Sequence, residues 1–569
     1  MFQQQYYVPK STDTYADSMV AWGFATVLED VLNQADQPNA NRITLSDGLS
    51  CYIVELPVPL REEWINKAVK TPLTYFIARN TQQEGIPQSC RIVYMDDEWD
   101  KVRKRQEAKK AAITTDTQDA DLKEMAIQIE ANPFLSHFIT AQKLSGDEPA
   151  NKICNEVDKA NYSELLRALL ALYSGIAAPL TGFTQNTTAT LLNPAQGMGI
   201  NDLAPKGAGG GKLKAPWPVE WLKGIGFYTA TFCASFQNTK KQTIGIEVAV
   251  LSPQRISLRN HRAIRDRFMA SFYAKSSLKL ECLAVLNYAD EFLNHSAEAA
   301  EWRGEALSNV VSGFATCYFM DVRQGVNFAV KRITFLEMPV WIYIPQDGNI
   351  DAYRDAIQEH IKCLRPLDDN RGETRAILQA YRDWSSSGQL SSLWEFTSAY
   401  GIYRVACATD IKLPFQPHAL TTKNLEVILM NQAVNDKPLA PVLSDEGFQN
   451  VAKAIRSSTI NAIYQKQNKS LASGMEVHYG LAQELRRIAP YKEKFVSRLM
   501  QHLQTYNEEN ARAAQRPEAN KDRPQRKNIS TQDIERIIQM IDDYGSPTMC
   551  GLLLAYGYAK DPKEDPDKS

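Results

Sequence analysis

Two stretches in the middle of the chain set what it can become. TIGIEVAVLS (243–252) and KRITFLEMPVWIYIP (331–345) are dense in β-branched and aromatic residues, the composition of strands with one packed face. Beyond about residue 425 the character changes to helical spacing. FQNVAKAIRSSTINAIYQ (448–465) carries an apolar stripe at Val451, Ile455, Thr459 and Ile463, and 493–506 carries Phe495, Leu499, Leu503 and Tyr506. Strands followed by helices predict an α+β protein: mixed N-terminal and central α/β-type domains, then an all-α C-terminal helical bundle. A chain of 569 residues has room for several cores. The expected division is an N-terminal α+β domain with a basic arm (1–150), a central domain with a glycine- and lysine-rich loop and strands (151–425), a bundle (426–560) and a disordered polar tail (561–569).

Local signals refine this. TYADSMVAWGFATVLEDVLN (14–33) predicts an amphipathic helix, and NRITLSDGLSCYIVELP predicts two strands turning at Asp47-Gly48. Residues 161–174 predict a helix, followed by a long connection from Gly182 to about Lys214. From Trp99 to Ala126 the chain is charged, which fits a solvated helix or a mobile basic arm. LRNHRAIRDRFMASFYAK predicts a helix that places Arg259, Arg262 and Arg265, with Arg255 just before it, roughly on one face. Ser530 and Asp533 have the spacing of a helix-starting cap, and 481–488, 533–545 and 548–559 complete the helical region.

The net charge of −2 conceals an asymmetry. Residues 201–270 hold 11 basic against 4 acidic residues, 441–530 hold 15 against 9, and the last 39 residues hold 4 against 8. Two separate basic regions on a nearly neutral chain suggest a polyanion touched in two places.

The segment KGAGGGKLK (206–214) invites a phosphate-binding reading. A nucleotide-triphosphate loop requires G-x-x-x-x-G-K-[ST]; here Lys206 replaces the first glycine and Leu213 the hydroxyl that would bind magnesium. What remains is glycine backbone that can approach a phosphate closely, at Gly207, Gly209, Gly210 and Gly211, with Lys206, Lys212 and Lys214 as point charges. The seven histidines are isolated, with no HxxxH or HExxH spacing, and no GxSxG elbow or CxxC pair occurs. The nine cysteines read as buried free thiols. The N-terminus lacks the pattern of a secretory signal and no apolar run is long enough to span a bilayer, so a cytoplasmic protein without a membrane partner is expected. These features describe a binder with neither a catalytic residue nor a cofactor or metal. Nucleic acid is the polyanion that fits, with Trp217 and Trp221 either stacking beside the loop or packing a core.

TYADSMVAWGFATVLEDVL, then NPAQGMGINDLAPKGAGGGKLKAPWPVEWLKGIGFY, then FQNVAKAIR, VHYGLAQELRR, YNEENAR and IDDYGSPTMCGLLLAYGYA occur in an order that resembles the large subunit of type I-B CRISPR surveillance complexes (Cascade). The likeness is to the branch whose large-subunit gene also encodes a small subunit. It implies a non-catalytic protein that joins CRISPR RNA and the backbone and guide-end subunits, recognises the motif flanking target DNA (the PAM), helps unwind the duplex and stabilises the R-loop. It further implies recruitment of a helicase-nuclease or of transposition proteins. Arg255, Arg259, Arg262 and the 206–214 loop would face the flanking duplex, with Asn193, Gln196 and Asn201 as base-edge candidates and Trp217 beside them. Lys453, Arg456, Arg486, Arg487 and Arg498 would hold a strand on the bundle. An internal start at Met430 would give a 140-residue small subunit, against the plain alternative of Met430 as a core residue. A stand-alone nucleic-acid-binding scaffold without guide RNA is the other reading.

Overall fold

The computed structural model describes residues 2–78, 88–94, 96–97, 100, 148–175, 180, 182–187, 190–194, 214–238, 243–272, 277–296, 302–321, 328–346, 350–410, 416–472, 474–515 and 526–561. The basic residues expected as an arm (101–110), Gln196, Asn201, the segment 206–213 with its glycines, and the tail from 562 lie outside the described residues. The fold is α+β. It divides into two compact units, one of residues 1–280 with 287–338, the other of 281–286 with 339–569.

In the first unit the elements run β1 (Gln5–Pro9), α1 (Tyr15–Gln34), β2 (Thr44–Asp47), β3 (Cys51–Glu55), α2 (Glu62–Lys67), β4 (Thr74–Ala78), β5 (Cys90–Tyr94), α3 (Glu148–Lys159), α4 (Tyr162–Tyr173), β6 (Gln185–Thr187), β7 (Lys214–Pro216), α5 (Trp217–Ala230), β8 (Thr231–Asn238), β9 (Thr243–Pro253), β10 (Arg255–Ser257), α6 (Leu258–Ser271), α7 (Ser277–Ser296), β11 (Val311–Asp321) and β12 (Phe328–Glu337). Residues 281–286 of α7 group with the second unit. Two antiparallel four-stranded sheets form, in the orders β1-β3-β2-β10 and β12-β11-β9-β8.

The first unit is organised around α1. Thr14 caps its start by accepting from the Ala16 N–H, and nearly every residue from Tyr15 to Leu32 is buried. The helix is thus buried on all sides rather than along the one apolar stripe expected of an amphipathic helix, and α1 lies between β9 and α5. Trp22 Nε1 donates to the Leu251 carbonyl of β9 at 2.9 Å. Against α5 the approach is backbone to backbone: a Cβ on Gly23 would stand 1.9 Å from the Leu222 carbonyl oxygen, and one on Gly226 1.8 Å from that of Met19. Only glycine fits at either place.

The hairpin expected at Asp47-Gly48 forms as β2 and β3, closed by the Gly48 N–H on the Cys51 carbonyl at 2.8 Å. The run expected as one strand from 331 to 345 ends at Glu337. Met338 N donates to the Ser312 carbonyl, after which Pro339 has no N–H to continue the ladder.

The second unit contains α8 (Asp351–Leu364), α9 (Gly372–Ser387), α10 (Leu390–Thr409), α11 (Thr422–Leu429), β13 (Ala433–Val434), β14 (Lys437–Pro438), α12 (Ala440–Leu443), α13 (Glu446–Ser458), α14 (Ile460–Gln467), α15 (Leu481–Ile488), α16 (Lys492–Ala514), α17 (Thr531–Tyr544) and α18 (Ser546–Tyr558). The expected domain boundary near 425 falls inside this unit, because α10 packs along α18. Arg404 Nη1 donates to the Tyr558 carbonyl at 2.6 Å, and Gly401 and Gly551 let Tyr558 and Trp394 seat against the facing backbone.

The helix expected over 448–465 is two helices broken at Thr459, whose φ and ψ are −111° and −98°. Ser458 and Thr459 turn their hydroxyls back onto the Ala454 and Ile455 carbonyls, while the Ser458 carbonyl accepts from His478 N instead of continuing the ladder. The apolar stripe holds across the break, with Val451, Ile455, Thr459 and Ile463 all buried. Ser530 and Asp533 form the expected reciprocal cap. All nine cysteines are free and eight are buried. Among the described residues no helix is long and apolar enough to cross a membrane.

Candidate nucleic-acid interface

The first unit holds a polar cleft of about 400 Å³ at the N-terminus of α6. Its position follows from one strand pairing. β9 ends at Pro253 in one sheet, and after Gln254 the chain enters the other as β10, where Ser257 pairs with Thr44 of β2. The Val310 carbonyl accepts from both Gln254 N and Arg255 N and fixes the corner. The pairing carries Arg42, two residues before β2, to the side of Arg255 and Arg259.

Arg42, Arg255 and Arg259 all line the cleft and are solvent-exposed. None has a side-chain hydrogen bond or ion pair with another described residue. Two of them flank a helix start where the Ser257 hydroxyl accepts from Asn260 N and the first turn holds no acidic residue. Cations at a helix N-terminus oppose the macrodipole at about 0.3–1 kcal/mol each, and here three line one cleft with no ion pair of 4 Å or less to a described residue. An anion in the cleft would gain from the arginines and the helix end together. Trp302, Glu305 and Asn309 also line the cleft. Asn309 Nδ2 donates to Glu305 Oε2 at 3.0 Å, which orients the carboxylate.

Other residues expected in this region are held in intramolecular roles. Arg262 donates through Nη1 and Nη2 to the two oxygens of Glu29 on α1, at 2.7 and 2.5 Å, and Arg265 donates to the Tyr228 carbonyl at 3.0 Å. The shared arginine face therefore divides, one residue at the cleft and two turned into the fold. Trp217 is 3% exposed and packs edge-on to Phe183, and Trp221 is 2% exposed, so both tryptophans serve the core.

Asn193 is likewise buried rather than presented to a base. Its Nδ2 donates to Glu220 Oε2 at 3.0 Å, its Oδ1 accepts from Lys223 Nζ, and Lys223 Nζ also donates to Glu220 Oε1 at 2.7 Å. This closed network fixes the Asn-Pro segment to α5. Lys214 opens β7, paired with Thr187 of β6 and next to α5.

In the second unit Lys453, Arg486 and Arg487 are exposed, and neither a hydrogen bond nor an ion pair ties their side chains to another described residue. Arg498 is paired with Glu484 through Nε at 2.8 Å and Nη2 at 2.6 Å. Arg456 is buried, with Nη2 donating to the Tyr556 carbonyl at 2.7 Å and Nη1 meeting Asp561, so it braces α13 against the end of α18. Arg42, Trp302, Glu305 and Asn309 carry no motif: the pairing of β2 with β10 makes Arg42 a neighbour of Arg255, and the Val310 carbonyl, accepting from Arg255 N, brings 302–309 there. Tyr479 and Tyr491, 43% and 60% exposed beside α15, are aromatic faces that the sequence did not single out.

No family model matches the sequence, and no curated protein matches it. Among the described residues no group of three or more His, Cys, Asp and Glu side chains is placed to hold a metal ion.

Proposed function

We propose that the chain is a non-catalytic, nucleic-acid-binding subunit of an RNA-guided DNA surveillance complex of the type I-B CRISPR class. The observation that carries the nucleic-acid reading is the cleft: three arginines without an ion pair to any described residue, beside a helix N-terminus and lined also by a tryptophan and polar side chains. Phosphate binding accounts for a charge arrangement that otherwise only costs stability. Lys206, Lys212 and Lys214 would add contacts to the nucleic-acid backbone, and Lys453, Arg486 and Arg487 would supply a second contact on the other unit.

The surveillance-complex assignment rests on the order of sequence segments. It predicts CRISPR RNA, target DNA and the backbone and guide-end subunits as partners, PAM recognition and R-loop stabilisation as the task, and a helicase-nuclease or transposition proteins as the recruited effector, all in the cytoplasm. Sequence would be read by guide pairing, so the subunit itself needs mainly phosphate contacts.

Titration of a duplex and a single-stranded oligonucleotide against the full chain tests the reading. Arg42→Ala, Arg255→Ala and Arg259→Ala together should weaken binding and reduce the slope of log affinity against log salt by about three. An unchanged slope rejects the cleft as the binding surface. Purification with its genomic neighbours should bring down an RNA of uniform length; its absence favours a scaffold that works without a guide.

A further inference from the structure

The cleft is not uniformly basic. Glu305 stands in it among three arginines yet makes no ion pair of 4 Å or less with any of them; its marked partner is Asn309. A site built only for phosphate gains nothing from a carboxylate in its wall, because like charges in one cleft repel. The mixed lining calls for a ligand that is anionic at one end and a hydrogen-bond donor at the other. A nucleotide whose base carries an exocyclic amine has that character.

We infer that the cleft takes a single nucleotide with an amino-bearing base, its phosphate on Arg42, Arg255 and Arg259 and its amine donating to Glu305; this rests on the nucleic-acid reading above. The chemistry selects among bases. Cytosine presents an N4 amine, the group a glutamate accepts from in base readout. Thymine and uracil present a carbonyl oxygen at the corresponding position, and acceptor would face acceptor across the cleft. Asn309 sharpens the choice, since donating its amide to Glu305 Oε2 leaves its own carbonyl as a further acceptor beside the carboxylate. Trp302, stacked on Phe292 with ring centroids 4.7 Å apart, is held rigid as the apolar wall. A volume of about 400 Å³ lies in the range of small-molecule pockets.

The test is fluorescence anisotropy of the full chain with labelled oligo-dC and oligo-dT of equal length at one salt concentration. The unaltered chain should bind oligo-dC about 5- to 10-fold more tightly, the low end of one base contact's discrimination. Glu305→Gln, whose amide both donates and accepts, should bring the two within about twofold by tightening oligo-dT, with its thermal melt unchanged. The triple arginine variant should lose affinity for both. If the arginine variant weakens both oligonucleotides while the chain shows no cytosine preference, or Glu305→Gln leaves a preference intact, the base assignment is wrong and the phosphate site stands. If the arginine variant binds both as tightly as the unaltered chain, the nucleic-acid reading of the cleft and the base assignment fall together.

Discussion

Arg262 and Glu29, 233 positions apart in sequence, meet through two parallel hydrogen bonds that tie α6 to α1. Glu29 is 7% exposed at the side chain and Arg262 37%. Glu29→Ala should cost about 1–2 kcal/mol, because the arginine can recover part of its hydration. Urea denaturation of Glu29→Ala, Arg262→Ala and the double variant should show a double loss smaller than the sum of the singles. Full additivity would mean that the pair contributes nothing.

The buried trio Asn193, Glu220 and Lys223 is less forgiving. Lys223→Ala leaves the Glu220 carboxylate, fully buried, without its cation. A loss of about 3–5 kcal/mol is expected, read as a lower thermal midpoint. Lys223→Met combined with Glu220→Leu, which removes both charges at similar volume, should recover much of it.

The glycines separate by place. Gly23→Ala or Gly226→Ala drives a methyl into backbone of the facing helix, with no flexible side chain to give way, and should abolish soluble folded protein. Gly372→Ala, at the first position of α9 with nothing within 4 Å of the new methyl, should be neutral or stabilise by up to about 1 kcal/mol. Equal outcomes in the two places would refute the close crossing.

Acid should destabilise the fold through buried neutral histidines. Burial pushes His360 and His502 down to about 3 and holds His261 well below the usual imidazole value. Each is unprotonated when folded but takes a proton near pH 6.5 when unfolded, so the unfolded chain binds more protons between about 6.5 and 3. Stability then rises with pH through that window and is lost as pH falls. Between pH 6.5 and 5 the loss should reach about 2 kcal/mol per histidine, and His502→Gln should flatten the profile of the second unit.

Met430 is 49% exposed just past the end of α11, which removes the plain reading of it as a core side chain. A 430–569 product would still lack α10 and so leave bare the α18 face that Trp394, Gly401 and Arg404 cover. Expressed alone, it should be less soluble and less protected from hydrogen exchange in α18 than 390–569. Mass spectrometry of the intact gene's products tests whether a band of this size is made at all.

Much of the fold was legible because its signals are local. The helical period marked α1, α4, α15 and the stripe through α13 and α14, and Asp47-Gly48 marked the first hairpin. The break at Thr459 was not legible, since two hydroxyls turning back on their own helix look like ordinary helix residues. The site was legible only in part. Counting charges singled out Arg255 and Arg259, which line the cleft, but treated Arg262 and Arg456 as equally available, although their partners, Glu29 and the Tyr556 carbonyl, lie far away in sequence. Asn193 and Trp217 were named for what their side chains can do, and burial gave them other roles. Arg42 was invisible without the β2–β10 register.

That register has a kinetic consequence. The cleft exists only once residues 44–46 have found 255–257, one of the most sequence-distant pairings in the first unit, and such contacts form late because their loop-closure entropy is large. Oligonucleotide binding at the cleft should therefore appear after the bulk of helix formation during refolding. It should also protect the N-terminal sheet from opening, so that a ligand held by three arginines acts as a latch on the pairing of β2 with β10.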